Sequence, residues 1–217
     1  TLLILSAIVL FFAGCKKDDI LEEGEVLYKF AVTTNNITDI TLTTAQCGGD
    51  VSLTSVDGLK VTARGVFWST KPNPTINDNK TSDGSGTGNF TSNLTNLTKN
   101  TTYYIRAYAT NEKETSYGEV KSFTTMDITM PIVTTNVVIN ITSSSATCGG
   151  NVTFDGNAIV ISRGVCWGTY PNPTINDNKT VDGSGTGTFT SNLTNLTENT
   201  TYYVRAYATN EKGTSYG

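Results

Sequence analysis

Histidine is absent from all 217 residues. The most common general base and metal ligand near neutral pH is therefore missing. Leu, Glu and Lys are scarce beside Thr and Asn, a composition that favours strands and turns over helices. Positive charge is also thin: 15 Lys and Arg stand against 19 Asp and Glu, for a net charge of −4. With no Lys/Arg cluster, electrostatic capture of nucleic acid is excluded. Ser and Thr are plentiful, yet without His and with only scattered carboxylates nothing is placed to activate them, so neither an enzyme nor a cofactor is expected.

The chain also lacks an apolar run long enough to span a bilayer comfortably. Its longest, TLLILSAIVLFFAG at residues 1–14, falls short of the roughly 20 residues a spanning helix needs but suits the core of an export signal. The chain starts without Met, so a basic leading segment is expected before Thr1. Phe12, Ala13, Gly14 and Cys15 resemble a bacterial lipobox, with Phe12 departing from the usual Leu. The resemblance implies cleavage after Gly14 and lipidation of Cys15, giving a membrane anchor of more than one acyl chain. Lys16, Lys17, Asp18 and Asp19 resemble the export signal of Bacteroidetes-type surface lipoproteins. The expected location is the bacterial cell envelope, lipid-anchored in the outer membrane and surface-exposed. Residues 1–14 are then the signal, and 15–30 the lipidated Cys and its tether.

What the chain has in abundance is repetition. Residues 64–118 return at 163–217 with an offset of 99 (167−68 for the tryptophans), and 47 of the 55 positions are identical. So long a period marks two autonomous modules in series rather than a solenoid. Within each copy the pattern has period two. Tyr104, Arg106 and Tyr108 alternate with Tyr103, Ile105, Ala107 and Ala109. Ala45, Cys47, Gly49, Val51 and Leu53 form one face of a second strand, and Val66 and Trp68 share a face of a third. Asp57-Gly58, PNPTINDNKT, DGSGTG and Asn111–Thr115 punctuate these strands. Short alternating strands at this spacing predict an all-β sandwich of about 95 residues per copy.

Leu97 precedes Tyr103 by six positions, which resembles the corner of a fibronectin type III domain, with Lys99 or Glu198 where a Pro is usual. RGVFW, PNPTI and TTYYIRAYATN are similar to tandem repeats of Bacteroidetes-type lipoproteins. The resemblance implies two fibronectin type III/immunoglobulin-like sandwiches, at 31–125 and 132–217, joined by a linker at 126–131. Tyr103 and Tyr202 would be the corner tyrosines. Glu119–Thr125 reads as a last strand without counterpart in the second copy, and a further segment is expected after Gly217. Such domains imply spacing or adhesion rather than catalysis.

Four features are candidate sites. Trp68, Tyr104 and Tyr108, with Trp167, Tyr203 and Tyr207, could form an aromatic face for glycans or surface proteins, or simply pack across strands. Arg64, Arg106, Arg163 and Arg205 are expected on that same face. Cys148 and Cys166 are a candidate disulfide; against it, Cys166 has the opposite strand parity to Val165 and Trp167, and Phe67 replaces it in the first copy. Asn77–Gly84 is rich in oxygen, but an EF-type reading puts Phe90 where the bidentate Glu belongs, so an Asx turn and no metal are expected. GSGTG reads as a flexible hairpin connection. The functional expectation is a non-catalytic lipoprotein whose modules are a stalk or adhesive spacer projecting about 60 Å. The alternatives are a glycan- or protein-binding module and an accessory region of a larger enzyme.

Overall fold

A computed structural model describes residues 30–53 and 60–217. The signal segment, Cys15, the tether up to Lys29 and the Asp57-Gly58 turn lie outside the described residues. The first module contains β1 (Phe30–Thr34), β2 (Ala45–Leu53), β3 (Ala63–Ser69), β4 (Asn79–Lys80), β5 (Gly88–Leu94), β6 (Thr102–Thr110), β7 (Thr115–Tyr117) and β8 (Lys121–Thr124). The second contains β9 (Ile132–Thr135), β10 (Ser145–Phe154), β11 (Ser162–Gly168), β12 (Asn178–Lys179), β13 (Gly187–Thr194), β14 (Tyr203–Asn210) and β15 (Gly213–Tyr216). Among the described residues there is no helix.

Each module is two antiparallel sheets. In the first, β1-β2-β5 faces β4-β3-β6-β7, with β8 also paired to β6; in the second, β9-β10-β13 faces β12-β11-β14-β15. The last strand of module one thus comes in two pieces, and module two has a counterpart of the first piece, β15.

Alternation decides which side chains enter each core. Val66 and Ile105 are fully enclosed between the sheets with Cys47, Val51 and Leu94; Val165, Cys148, Val152 and Leu193 do the same in module two. Burying a side chain such as Ile105 contributes about 1.5–3 kcal/mol. Leu53, expected on the inner face, is instead exposed, because it lies at the end of β2 beyond the cover of the opposite sheet. Gly49 permits the sheets to approach: a Cβ there would lie 2.6 Å from both Ala107 Cβ and the Thr33 carbonyl oxygen. Gly150 plays the same part in module two, 2.6 Å from Ala206 Cβ.

Candidate functional site

The outer surface of each large sheet is where the aromatic face was expected. Strand parity splits it. Trp68 packs against the first core and Trp167, 7% exposed, belongs to the second, so both tryptophans point inward and leave the candidate face. Outward from β3 points Phe67 instead. Its ring stacks on Tyr108 at 4.1 Å and tilts against Tyr117 at 6.0 Å.

This layer is covered. Pro74 is fully buried, and its carbonyl accepts a hydrogen bond from Arg106 Nε while the guanidinium lies 3.9 Å from the centre of the Tyr117 ring. PNPTI is therefore a lid held down by Arg106. Tyr108 and Tyr207 are buried beneath it, and their hydroxyls donate to the Thr81 and Thr180 carbonyls at 2.8 and 2.7 Å. Burial pushes both phenols above their ordinary pKa. Neither ring can stack on a sugar as placed. Of the six candidate aromatics, only Tyr104, half-buried, and Tyr203, 43% exposed, still face solvent.

Cys47, Cys148 and Cys166 are free and buried, so the candidate disulfide is absent. Its geometry forbids it: Cys148 belongs to the core between the sheets, whereas Cys166 points out of the opposite sheet, its thiol donating to the Pro173 carbonyl at 3.3 Å. The parity of Val165 and Trp167 is decisive. Burial raises the pKa of all three thiols, which keeps them protonated and unreactive.

Two arrangements escaped the sequence reading. Arg64 and Arg163 lie on the inner side of β3 and β11, apart from Arg106 and Arg205. The Arg64 guanidinium sits 5.4 Å from the centre of the Phe90 ring, and its Nη1 donates to the carbonyls of Gly86, Thr87 and Gly88 at 3.2, 2.8 and 3.2 Å. Positive φ at Gly84, Gly86 and Gly88 shapes the loop that aims these carbonyls. GSGTG is thus a cation cage rather than a loose connection, and Arg163 Nη1 donates to the matching carbonyls of Gly185, Thr186 and Gly187, although among the described residues its Nε lacks the bond that Arg64 Nε makes to the Asp83 carbonyl. The second arrangement is a carboxylate staple. Asp83 accepts from Thr81 at 2.6 Å and from Ser92, which is fully buried on the opposite sheet; Asp182 accepts likewise from Thr180 and Ser191. In the oxygen-rich loop Asp78 accepts from the Thr75 N–H at 2.7 Å and from its hydroxyl, while Thr75 Oγ1 accepts from the Asn77 N–H. The turn is thus held by Thr75 and a backward bond to Asp78 rather than by the expected Asx turn, in which the side chain accepts from the N–H two residues on. The Thr75 backbone bond holds the Asp78 carboxyl below the usual pKa.

Between the modules, residues 126–131 are tied on both sides. Met126 donates to Thr41 and accepts from Asn100, while Thr129 donates to Gly156. Asn210 Nδ2 donates to the carbonyls of Thr129 and Asp155 at 2.7 and 2.8 Å, and Asn157 Nδ2 reaches Asp127 at 2.9 Å. Ile128 is buried. Lys99 meets Glu211 at 3.6 Å and Lys212 meets Asp127 at 3.9 Å.

The three-plus-four strand order recurs in both modules, and each has a tyrosine corner. The Thr98 N–H donates to Tyr103 Oη at 3.0 Å and the Thr197 N–H to Tyr202 Oη at 3.1 Å, even without the usual Pro. The class is a tandem of fibronectin type III-like β-sandwiches. No protein-family model matches the chain, and no curated protein matches it. Among solved structures, a two-domain fibronectin type III segment of chicken tenascin aligns at 16% identity over 86% of this chain and 97% of its own, with a TM-score of 0.32. A computationally redesigned β-sandwich protein aligns at 30% identity over 43% of this chain and 92% of its own, with a TM-score of 0.32. The sensor domain of the anti-sigma factor RsgI4 of Pseudobacteroides cellulosolvens aligns at 17% identity over 45% and 94%, with a TM-score of 0.34.

Proposed function

We propose that this chain is a non-catalytic lipoprotein of the bacterial envelope, anchored through Cys15, whose two sandwiches form a stiff spacer holding other surfaces away from the outer membrane. The observation that carries the spacer reading is the joint. Every residue from Met126 to Thr129 other than Ile128 uses a backbone carbonyl, backbone N–H or side chain to bind a neighbouring module, and Ile128 is itself buried. A flexible linker of this length would leave those groups to water. The covered aromatic layer supports the same reading, since Trp68, Trp167, Tyr108 and Tyr207, four of the six side chains that would serve a glycan platform, are spent on packing. The anchor rests on the lipobox resemblance at 12–15.

Metabolic labelling with an alkyne fatty acid tests the anchor. Label should appear in the intact protein and vanish in Cys15→Ser; equal labelling of both would reject it. Protease shaving of whole cells tests display, with loss of both modules expected. Their survival while a known surface protein is digested would reject outward orientation.

A further inference from the structure

The loop that follows β3 in module one and β11 in module two departs from the repeat at two positions: Ser69 becomes Gly168, and Lys71 becomes Tyr170. Both loops are described throughout, so they compare like for like. In module one Ser69 is buried, and its Oγ accepts from the Lys71 N–H at 3.2 Å beside the half-buried Asp78 carboxylate. Without that side chain the corresponding acid is uncovered. Asp177 is exposed, and a Cβ at Gly168 would still lie 3.9 Å from its nearest neighbours, Asp177 Oδ1 and Pro173 Cβ. A hollow of about 350 Å³ opens there, and its walls include Gly168, Tyr170, Asn172, Asp177 and Asn178. The Tyr170 ring is 82% exposed.

We propose that this hollow binds a neutral pyranose sugar. A lone exposed ring would mean little, since folded surfaces carry many apolar groups. Tyr170 is set apart by the polar groups that share its hollow. Its ring offers an apolar face to the C–H face of a sugar. Asp177 keeps Oδ2 on Thr174, accepting from the N–H at 2.8 Å and the hydroxyl at 3.2 Å, which fixes the carboxylate and leaves Oδ1 toward the space beside Gly168. Oδ1 accepts from a sugar hydroxyl, and the side-chain amides of Asn172 and Asn178 can both donate and accept, as neighbouring hydroxyls require. The volume falls at the small end of the roughly 300–1,000 Å³ of ligand pockets, enough for a ring rather than a chain. Charge selects the ligand class. No Lys or Arg lines the hollow, so a phosphate or carboxylate would find no cation and would face Asp177. In module one that selection is absent, because Lys71 stands where Tyr170 does and Ser69 occupies the space beside the acid. The spacer reading rests on the joint at 126–131 and the anchor on Cys15; the sugar site depends on neither.

Titration of the isotope-labelled 217-residue chain with methyl glucopyranoside, methyl mannopyranoside and methyl galactopyranoside, followed by backbone amide chemical shifts, tests this. Saturable movement within residues 168–178 is expected for at least one of the three sugars, with none at 69–79. Tyr170→Ala should weaken that binding about fivefold or more. Gly168→Ser combined with Tyr170→Lys should abolish it. Misfolding cannot imitate these losses, because Tyr170 is exposed and the double variant carries the residues that module one already folds with; unchanged shifts outside the loop verify this. No saturable movement with any of the three sugars would overturn the proposal, and so would undiminished binding by Tyr170→Ala. Equal movement at 69–79 would overturn it by showing only general association of sugar with both loops. Tighter binding of glucuronate than of methyl glucopyranoside would also overturn it, by giving the hollow to anions.

Discussion

Position 67 and its counterpart 166 carry the sharpest single-residue contrast between the modules, and both are buried on the outer side of the sheet. Phe67 fills its site with a stacked ring; Cys166 fills the same site with a thiol, and there Tyr216 Oη instead accepts from the Ile175 N–H at 3.2 Å. With burial raising their pKa, Cys47, Cys148 and Cys166 should be inert in the native protein. A thiol-reactive dye should therefore label none of them until denaturant is added, after which all three should react without a reductant. Arg64 should be irreplaceable by Lys, because an ammonium cannot keep the planar contact with Phe90 while serving three carbonyls. Urea unfolding of Arg64→Lys should show a loss of about 1 kcal/mol in module one. Glu119 provides a pH signature. Hydrogen bonds from its own N–H and from Thr34, helped by Lys121, lower its pKa in the folded state. A lowered folded pKa means the folded protein holds the proton less tightly than the unfolded chain. Its stabilisation is therefore complete above the ordinary Glu pKa of about 4.3 and lost as pH falls through the lower folded value. Glu119→Gln should flatten that part of the thermal stability profile of module one.

At the scale of strands and turns, period-two alternation made most of the sandwich legible before any coordinates. The inward set on β6 follows from parity alone, and the corner tyrosines at 103 and 202 from the resemblance to a fibronectin type III corner. Parity could not reveal that the outward set is covered as well, because Pro74 reaches back over the sheet from a loop and its contact with Arg106 leaves no local pattern. That is why Tyr108 and Tyr207, read as candidate binding residues, are packing residues. GSGTG was misread for a related reason: its role lies in where carbonyls point, and glycine count alone suggests only looseness. Removing the corner bond should cost about 1 kcal/mol in Tyr103→Phe, where the ring is buried beneath Phe123, as measured by denaturant unfolding. Gly49→Ala should cost about 1–3 kcal/mol by forcing the sheets apart. An unchanged unfolding midpoint for Gly49→Ala would show that the sheets can part without penalty.

For the whole molecule the near identity of the two copies says little about ligand, since duplication alone reproduces loops and tyrosines. Their differences say more, above all at position 67 against 166. The central claim is that the two sandwiches are held as one stiff unit by the joint at 126–131, and here the side chain of Asn210, 3% exposed, matters most. The exposed ion pairs Lys99–Glu211 and Lys212–Asp127 contribute little by comparison. The most direct test is the distance distribution between spin labels at the exposed positions Thr91 and Thr190, one on each module, while the buried native thiols stay unlabelled. A single narrow distribution is expected in the parent chain and a broadened one in Asn210→Ala. A broad distribution in the parent chain would contradict the stiff spacer.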